Sequence, residues 1–448
     1  MSSEWRSVTV EDIASPTPAA LATGPFGSSI SSKYFTESGI PVIRGSNLST
    51  EVSRRLIDEG LVFISEEKAA EFRRSTVSRG DLIFTCWGTI NQVGFIDRKS
   101  KYEHYVISNK QMKLTIDPEK ADGRFIYYVF SSPKKQSEIL ENGIGSSVPG
   151  FNLGQLKKHE IFLPSLSEQV AIANFLDFLD DRITLLRETN KTLESIAQAI
   201  FKSWFVDFDP VRAKMEGRQP EGMDEATADL FPDSFEESKL GLIPTGWSSG
   251  SVNGLSDLNP ESWSKNNHPH KLRYVDLANT KSNVISEIPE FLFSEAPSRA
   301  RRVLRGGDTI IGTVRPGNKS FAFVHTALEN MTGSTGFAVL RPKSHEATEF
   351  IYLAATQESS IEYLTHIADG AAYPAVRPEV VADMSCVIPS EEILRKFHAT
   401  ASVLFESVAS NQSKADTLTR LRDLLLPRLI SGQLRLPEAQ AVVEEHSA

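Results

Sequence analysis

This chain of 448 residues holds many side chains able to do chemistry, but few stand at spacings that chemistry requires. Pro232-Asp233 followed by Glu237-Ser238-Lys239 has the form of a nuclease signature. In such a signature two carboxylates hold a divalent cation beside the scissile phosphate and the lysine stabilises charge. The two parts must then lie on neighbouring strands of a rigid sheet, whereas only three residues separate Asp233 from Glu237, within an acidic stretch. His268 and His270 flank Pro269 in a polar segment, and two imidazoles alone make a poor metal site. The chain has no Walker A loop, no GxGxxG after a strand and no HExxH. It also lacks the Asn-Pro-Pro-aromatic motif with which amino-methyltransferases hold a flipped base. Cys86 and Cys386 are far apart, with no CxxC pair. The sequence therefore predicts no catalytic residue, no metal site and no cofactor on this chain.

What remains suits recognition. Arg44, Ser46, Asn47, Thr89, Asn91, Gln92, Asn109, Lys110 and Gln111 fall near the ends of expected strands in the N-terminal half. Arg273, Asn279, Lys281, Arg315, Asn318 and Lys319 do so in the C-terminal half. Arginine and lysine pair with guanine edges or phosphates, and asparagine and glutamine make bidentate bonds to adenine. Arg299, Arg301, Arg302 and Arg305 form a denser basic group suited to phosphates. Trp87 and Trp263 could stack or wedge, although core packing is the commoner fate of a tryptophan.

The elements that must position these residues occur twice. At a shift of 225, Phe125-Ile126-Tyr127 meets Phe350-Ile351-Tyr352, Leu163-Pro164-Ser165 meets Ile388-Pro389-Ser390, and Pro149 meets Pro374. Arg79-Gly80-Asp81-Leu82-Ile83 resembles Gly306-Gly307-Asp308-Thr309-Ile310 at a shift of 227. Each half begins with a mixed region. Runs such as Gly39–Arg44, Asp81–Phe84 and Asp308–Ile311 read as strands, and Gly143-Ile144-Gly145-Ser146-Ser147 as a loop. Each half closes on a long helical pattern, the first with Ser167 as its expected cap. The first seam is Leu176, Leu179, Ile183, Leu186, Asn190, Leu193, Ala197, Ile200 and Trp204, in alternating steps of 3 and 4. The second is Ala401, Leu404, Val408, Asn411, Ala415, Leu418, Arg422, Leu425 and Leu429, in the same steps and 225 residues on. This is coiled-coil a/d spacing, so the two helices are expected to pack on each other. Asn190 and Asn411, polar within their seams, could fix register.

The expected fold is α+β: two similar mixed recognition domains separated by two long antiparallel coiled-coil helices, a pseudo-twofold repeat. The boundaries read as a first domain over 1–165, a long helix over 166–206 and an acidic, loop-rich linker with room for one short helix over 207–240. A second domain follows over 241–390, then a second long helix over 391–432 and a tail over 433–448. Net charge is 48 − 58 = −10, which argues against non-specific coating of nucleic acid. The excess is local: residues 166–237 carry 7 basic and 16 acidic side chains, while residues 1–165 carry 20 and 19. The start has no basic region followed by an apolar run, and no apolar stretch approaches the ~18 residues of a membrane span. A soluble, cytoplasmic protein is expected.

Ile200-Phe201-Lys202-Ser203-Trp204-Phe205-Val206-Asp207-Phe208-Asp209-Pro210-Val211 resembles the central conserved region of type I restriction-modification specificity subunits. Leu230-Phe231-Pro232-Asp233-Ser234-Phe235 and Gly241-Leu242-Ile243-Pro244-Thr245-Gly246-Trp247 follow in that family's order. Pro164-Ser165-Leu166-Ser167-Glu168-Gln169 is similar to its entry to the central helix. The chain departs at Glu391-Glu392-Ile393-Leu394, where the first half has Ser-Glu-Gln-Val, and in keeping Trp5 without an Ile-Pro-x-Gly-Trp lead-in. The resemblance implies a non-catalytic subunit of a DNA adenine methyltransferase and restriction endonuclease complex. Each of its two target-recognition domains would read half of a gapped double-stranded DNA site, and the helices would set the spacer. The implied partners are two methyltransferase subunits, which use S-adenosylmethionine, and motor-nuclease subunits, which use ATP and Mg. The resemblance names no base-contacting residue. Two other classes stay open at this point: a self-sufficient nuclease or methyltransferase, and a protein-interaction scaffold without a DNA role.

Overall fold

The computed structural model describes residues 5–144 and 149–447. The Gly145-Ser146-Ser147 part of the expected loop lies outside the described residues. The chain divides into two compact units, Met1–Leu186 with Lys414–Ala448, and Arg187–Ser413. Each long helix, Leu166–Phe205 and Glu391–Ile430, thus gives one half of its length to each unit.

In the first unit, Leu21–Thr23, Gln111–Thr115, Asp81–Thr85 and Val93–Phe95 form one antiparallel sheet in that order. A second sheet runs Val62–Ile64, Ile40–Ile43, His104–Ile107, Thr76–Ser78, with only the middle pair parallel. The second unit repeats this. Ser256–Leu258, Phe337–Pro342, Asp308–Gly312 and Phe321–Val324 form one sheet. Glu290–Leu292, Lys271–Val275, Met331–Ser334 and Ala300–Val303 form the other, again with a parallel middle pair. Each domain is closed by pairing its ends: Arg6–Thr9 with Glu160–Leu163, and Ser248–Ser251 with Ser385–Ile388.

The repeated sequence blocks are structural. Gly80 and Gly307 take φ of +94° and +89°, which a Cβ disfavours, to turn the chain into a central strand. The aspartate that follows caps the turn: Ser78 N donates to Asp81 Oδ2 at 2.8 Å and Arg305 N to Asp308 Oδ2 at 2.7 Å. Phe125-Ile126-Tyr127 and Phe350-Ile351-Tyr352 are buried, in helices Gly123–Ser131 and Thr348–Thr356 that pack on the sheets.

Two expectations change. The first long helix is entered at Ser165, not Ser167. Ser165 Oγ accepts from Glu168 N at 3.3 Å, as Ser390 Oγ accepts from Ile393 N at 3.4 Å. Segment 207–240 is more ordered than a loop-rich linker. It holds helices Asp209–Met215 and Glu225–Asp229 and strand Phe235–Ser238, which pairs with Gly241–Pro244 at the start of the second domain. The reason is apolar burial: Phe208, Val211 and Phe231 join the aromatic core of the second unit. Among the described residues no helix is long and apolar enough to cross a membrane.

Candidate nucleic-acid interface

The two seams face each other. In the first unit Ile183 and Leu186 pack with Ala415 and Leu418, and Leu176 and Leu179 share a core with Leu425 and Leu429. In the second, Asn411 Nδ2 donates to Asn190 Oδ1 at 3.0 Å, and Asn190 Nδ2 to Val408 O at 3.0 Å. Later residues of one helix meet earlier residues of the other, so the pair is antiparallel. Leu193, Ile200 and Leu404 are only half-buried at its edges.

The domains grip this pair differently. In the first unit Arg422, 3% exposed, donates to Asp180 Oδ1 at 2.8 Å. Tyr128 Oη donates to Asp180 Oδ2 at 2.8 Å and lies 3.0 Å from Asp177 Oδ1. Arg55, from the loop after the first domain's parallel pair begins, donates to Tyr128 Oη at 2.8 Å and to Asp177. In the second unit the grip is aromatic: Phe397 lies 4.9 Å from Phe205 and 5.7 Å from Trp204, centroid to centroid. Polar ties are present there too: His398 Nδ1 lies 2.5 Å from Glu349 Oε2. Asn283 Nδ2 donates to Glu194 Oε1 at 2.7 Å, and burial nevertheless raises the Glu194 carboxyl above the usual carboxylate range.

The residues singled out for recognition divide into structural and exposed sets. Asn47 is fully buried and donates to Ile57 O and Glu59 O at 3.0 and 3.3 Å. Gln92 Nε2 donates to Leu48 O at 3.1 Å. Gln111 is buried, its amide set among Ser108, Ile43 and Gly45. These three support the turn that carries Arg44 and Ser46, with Gly45 packed near both glutamines. Arg44 donates to Gly60 O at 3.1 Å and Ser46 is exposed. Thr89, Asn109 and Lys110 are exposed, and Asn91 is half-buried.

In the second domain Arg273 and Arg302 share one sheet. Arg273 lies 3.7 Å from Glu290, in a shallow depression with His270, Lys271 and Glu329. Arg302 donates to Ser262 Oγ at 3.2 Å, and burial lowers its pKa. The expected basic group is partly neutralised: Arg305 forks onto Glu261 with two 2.7 Å bonds, and Arg341 also binds Glu261. The Arg305 and Arg341 guanidiniums hold the Glu261 carboxyl down at about 2. Arg301 stacks 4.9 Å over Phe293, while Arg299 is exposed. Asn279 and Lys281 flank a tight hairpin at Thr280–Lys281 and Val284–Ile285. Ser282 N of that hairpin donates to Lys319 O at 2.8 Å. Lys319 itself pairs with Glu358 at 2.7 Å, and Asn318 is exposed.

The tryptophans separate. Trp263 Nε1 donates to Thr332 Oγ1 at 2.9 Å and the ring is half-buried; Trp87 is 51% exposed. Two exposed aromatics had no periodic signal to reveal them: Phe26, 83% exposed, and Tyr373, 71% exposed. Among the described residues no three His, Cys, Asp or Glu converge on a metal-sized site. Burial pushes the Cys86 thiol up to about 12 and the Cys386 thiol to about 11, so neither is a thiolate near neutral pH.

Comparison with known proteins places this geometry. A family model described as "Type I restriction modification DNA specificity domain" matches residues 3–195. The chain is 26% identical over 393 residues to the type I restriction enzyme MjaIX specificity subunit of Methanocaldococcus jannaschii, covering 85% of this chain and 84% of that one. It is 23% identical over 426 residues to the HindI specificity subunit of Haemophilus influenzae, covering 81% and 88%. The crystal structure of a type I restriction-modification system S subunit from M. genitalium superposes with a TM-score of 0.55 at 15% identity, covering 96% of each chain, and shares the fold. The chain is thus similar to a type I restriction-modification specificity domain over its N-terminal part, and to type I specificity subunits along more than four-fifths of its length.

Proposed function

We propose that this chain is the sequence-reading, non-catalytic subunit of a type I restriction-modification complex. Each recognition domain reads one half of a gapped duplex target. The antiparallel helices set the distance between the halves and carry two methyltransferase subunits, joined by motor-nuclease subunits for restriction. S-adenosylmethionine, and ATP with Mg, act on those partners, in the cytoplasm. The observation that carries this reading is the duplication itself: one domain topology, used twice, attached to paired helices in matching register. Symmetry of protein mirrors symmetry of site in dimeric DNA readers, and divergent loops make the half-sites unlike. The named domain boundaries, 1–165 and 241–390, are the proposed recognition modules.

The test is methylome sequencing of cells that express the chain with its neighbouring methyltransferase subunit. A two-part gapped motif bearing N6-methyladenine, absent when this chain is omitted, is the expected result. A stable complex that marks no motif overturns the reading and favours a scaffold. Removing one heptad in register from each helix is expected to shorten the spacer while both half-sites persist. An unchanged spacer in a folded complex removes the ruler from the proposal.

A further inference from the structure

In each domain the loop after the central strand meets the segment that leads into a short helix, and the two corners are built alike. In the first, Gly88 N donates to Pro149 O at 3.2 Å, Cys86 N to Lys110 O at 2.7 Å and Phe151 N to Cys86 O at 2.8 Å. In the second, Arg315 N donates to Pro374 O at 2.7 Å, Thr313 N to Gly336 O at 2.8 Å and Val376 N to Thr313 O at 2.9 Å. Ile144 pairs with Gly150 as Asp369 pairs with Ala375. The recurrence of Pro149 and Pro374 in the sequence belongs to this corner.

Each corner holds an aromatic ring out in solvent, supplied from opposite sides. The first supplies Trp87 from the strand-end loop, its ring lying on Gly150, where an added Cβ would sit 2.6 Å from Cζ3. The second supplies Tyr373 from the segment before the short helix, with the Arg315 guanidinium 4.7 Å over its ring and Arg315 Nη2 bonded to Ala372 O at 2.8 Å. Arg315 holds this place at φ +48°, where the first domain has Gly88 at φ +93°. Left-handed backbone is disfavoured for a residue with a Cβ, so the arginine sits in a conformation glycine would adopt freely. Such strain concentrates where a side chain is required. Lys110 in one corner and Arg315 in the other are exposed, and neither has a carboxylate partner among the described residues.

We infer that these two corners are the parts of the recognition domains that enter the duplex, Trp87 in one half-site, Arg315 and Tyr373 in the other. The inference rests on the DNA-reading function proposed above. Exposed rings suit base edges in a groove or wedging at a base step, and unneutralised cations suit phosphates. A partner that meets the same chemistry twice, once per domain, is one that itself repeats, as a two-part DNA site does.

The test uses the full chain in complex with its methyltransferase subunits. A randomised duplex pool first gives the wild-type site; absence of any preferred site defeats the DNA-reading function itself rather than the corner assignment. Binding to the selected duplex is then measured for Trp87→Ala, Tyr373→Ala and Arg315→Gly, together with thermal unfolding. The expected result is binding weakened about tenfold or more, with each variant relaxing selectivity in one half-site only. Arg315→Gly is the discriminating variant, because it relieves the backbone: its melting temperature is expected unchanged or higher while binding falls. Binding within about twofold of wild type for Arg315→Gly and Tyr373→Ala overturns the inference. So does loss of subunit assembly with DNA binding intact, which would make the corners protein-docking surfaces.

Discussion

The two compact units solve one packing problem with opposite chemistries. Where the first places Tyr128, Asp180 and Arg422 between domain and helices, the second places Leu353, Phe405 and, at the position matching Arg422, Ala197. The first is a buried ion pair with a phenol hydrogen-bonded into it. The second is a ring cluster, Phe405 lying 5.4 Å from Tyr352 and 5.2 Å from Phe323. Conversely Phe201, Trp204 and Phe397 of the second unit correspond to Leu426, Leu429 and Ile172 of the first. The fold therefore requires a filled, satisfied interface at this point and no particular residue. A buried pair gains little over a well-packed apolar replacement, but it costs heavily when one partner is lost.

Asp180→Ala sharpens that contrast most. It leaves Arg422 buried beside only the exposed Asp423, and urea unfolding is expected to show a loss of about 3–5 kcal/mol. A loss below about 1 kcal/mol would mean the pair is not what grips the helices. Importing the second unit's residues, as Tyr128→Leu with Asp180→Phe and Arg422→Ala, is expected to be neutral or to stabilise by about 1–4 kcal/mol. Severe destabilisation of that triple variant would break the equivalence of the two interfaces. Asn190→Ala removes the acceptor of Asn411 and the donor to Val408 O, for an expected loss of about 1 kcal/mol by the same measurement.

The smallest effect concerns the Asn283–Glu194 tie in the aromatic unit. The folded protein binds the Glu194 proton more tightly than the unfolded chain, because burial raises the carboxyl above its ordinary value of 4.5. The native state thus holds more protons between that value and the raised one, and stability falls as pH rises through this window. Glu194→Gln keeps an acceptor for Asn283 and is expected to flatten that slope. An unchanged pH profile by denaturant titration would show that Glu194 ionises without cost.

Much of this was readable before any coordinates. The alternating seam made the helix pair legible from Leu176 to Trp204 and from Ala401 to Leu429, since a 3,4 repeat faces one side of a helix and demands a partner. The polar residues expected to read DNA were less legible. Asn47, Gln92 and Gln111 look like DNA readers in a sequence, yet each satisfies backbone groups of its own domain. Amide side chains serve both purposes with the same atoms, and sequence does not show which groups face solvent. The linker misled in the same way: its acidic surface concealed Phe208, Val211 and Phe231, which have no periodic pattern because they anchor short irregular elements.

By itself the sequence determined the duplication and the two paired helices, because these rest on order and period along the chain. Tertiary structure alone decided which half of each helix serves which domain, which polar residues are spent inside, and that Trp87 and Tyr373 stand at equivalent corners. Those facts depend on hydrogen bonds between separate segments of the chain, whose partners become defined only when the chain closes on itself.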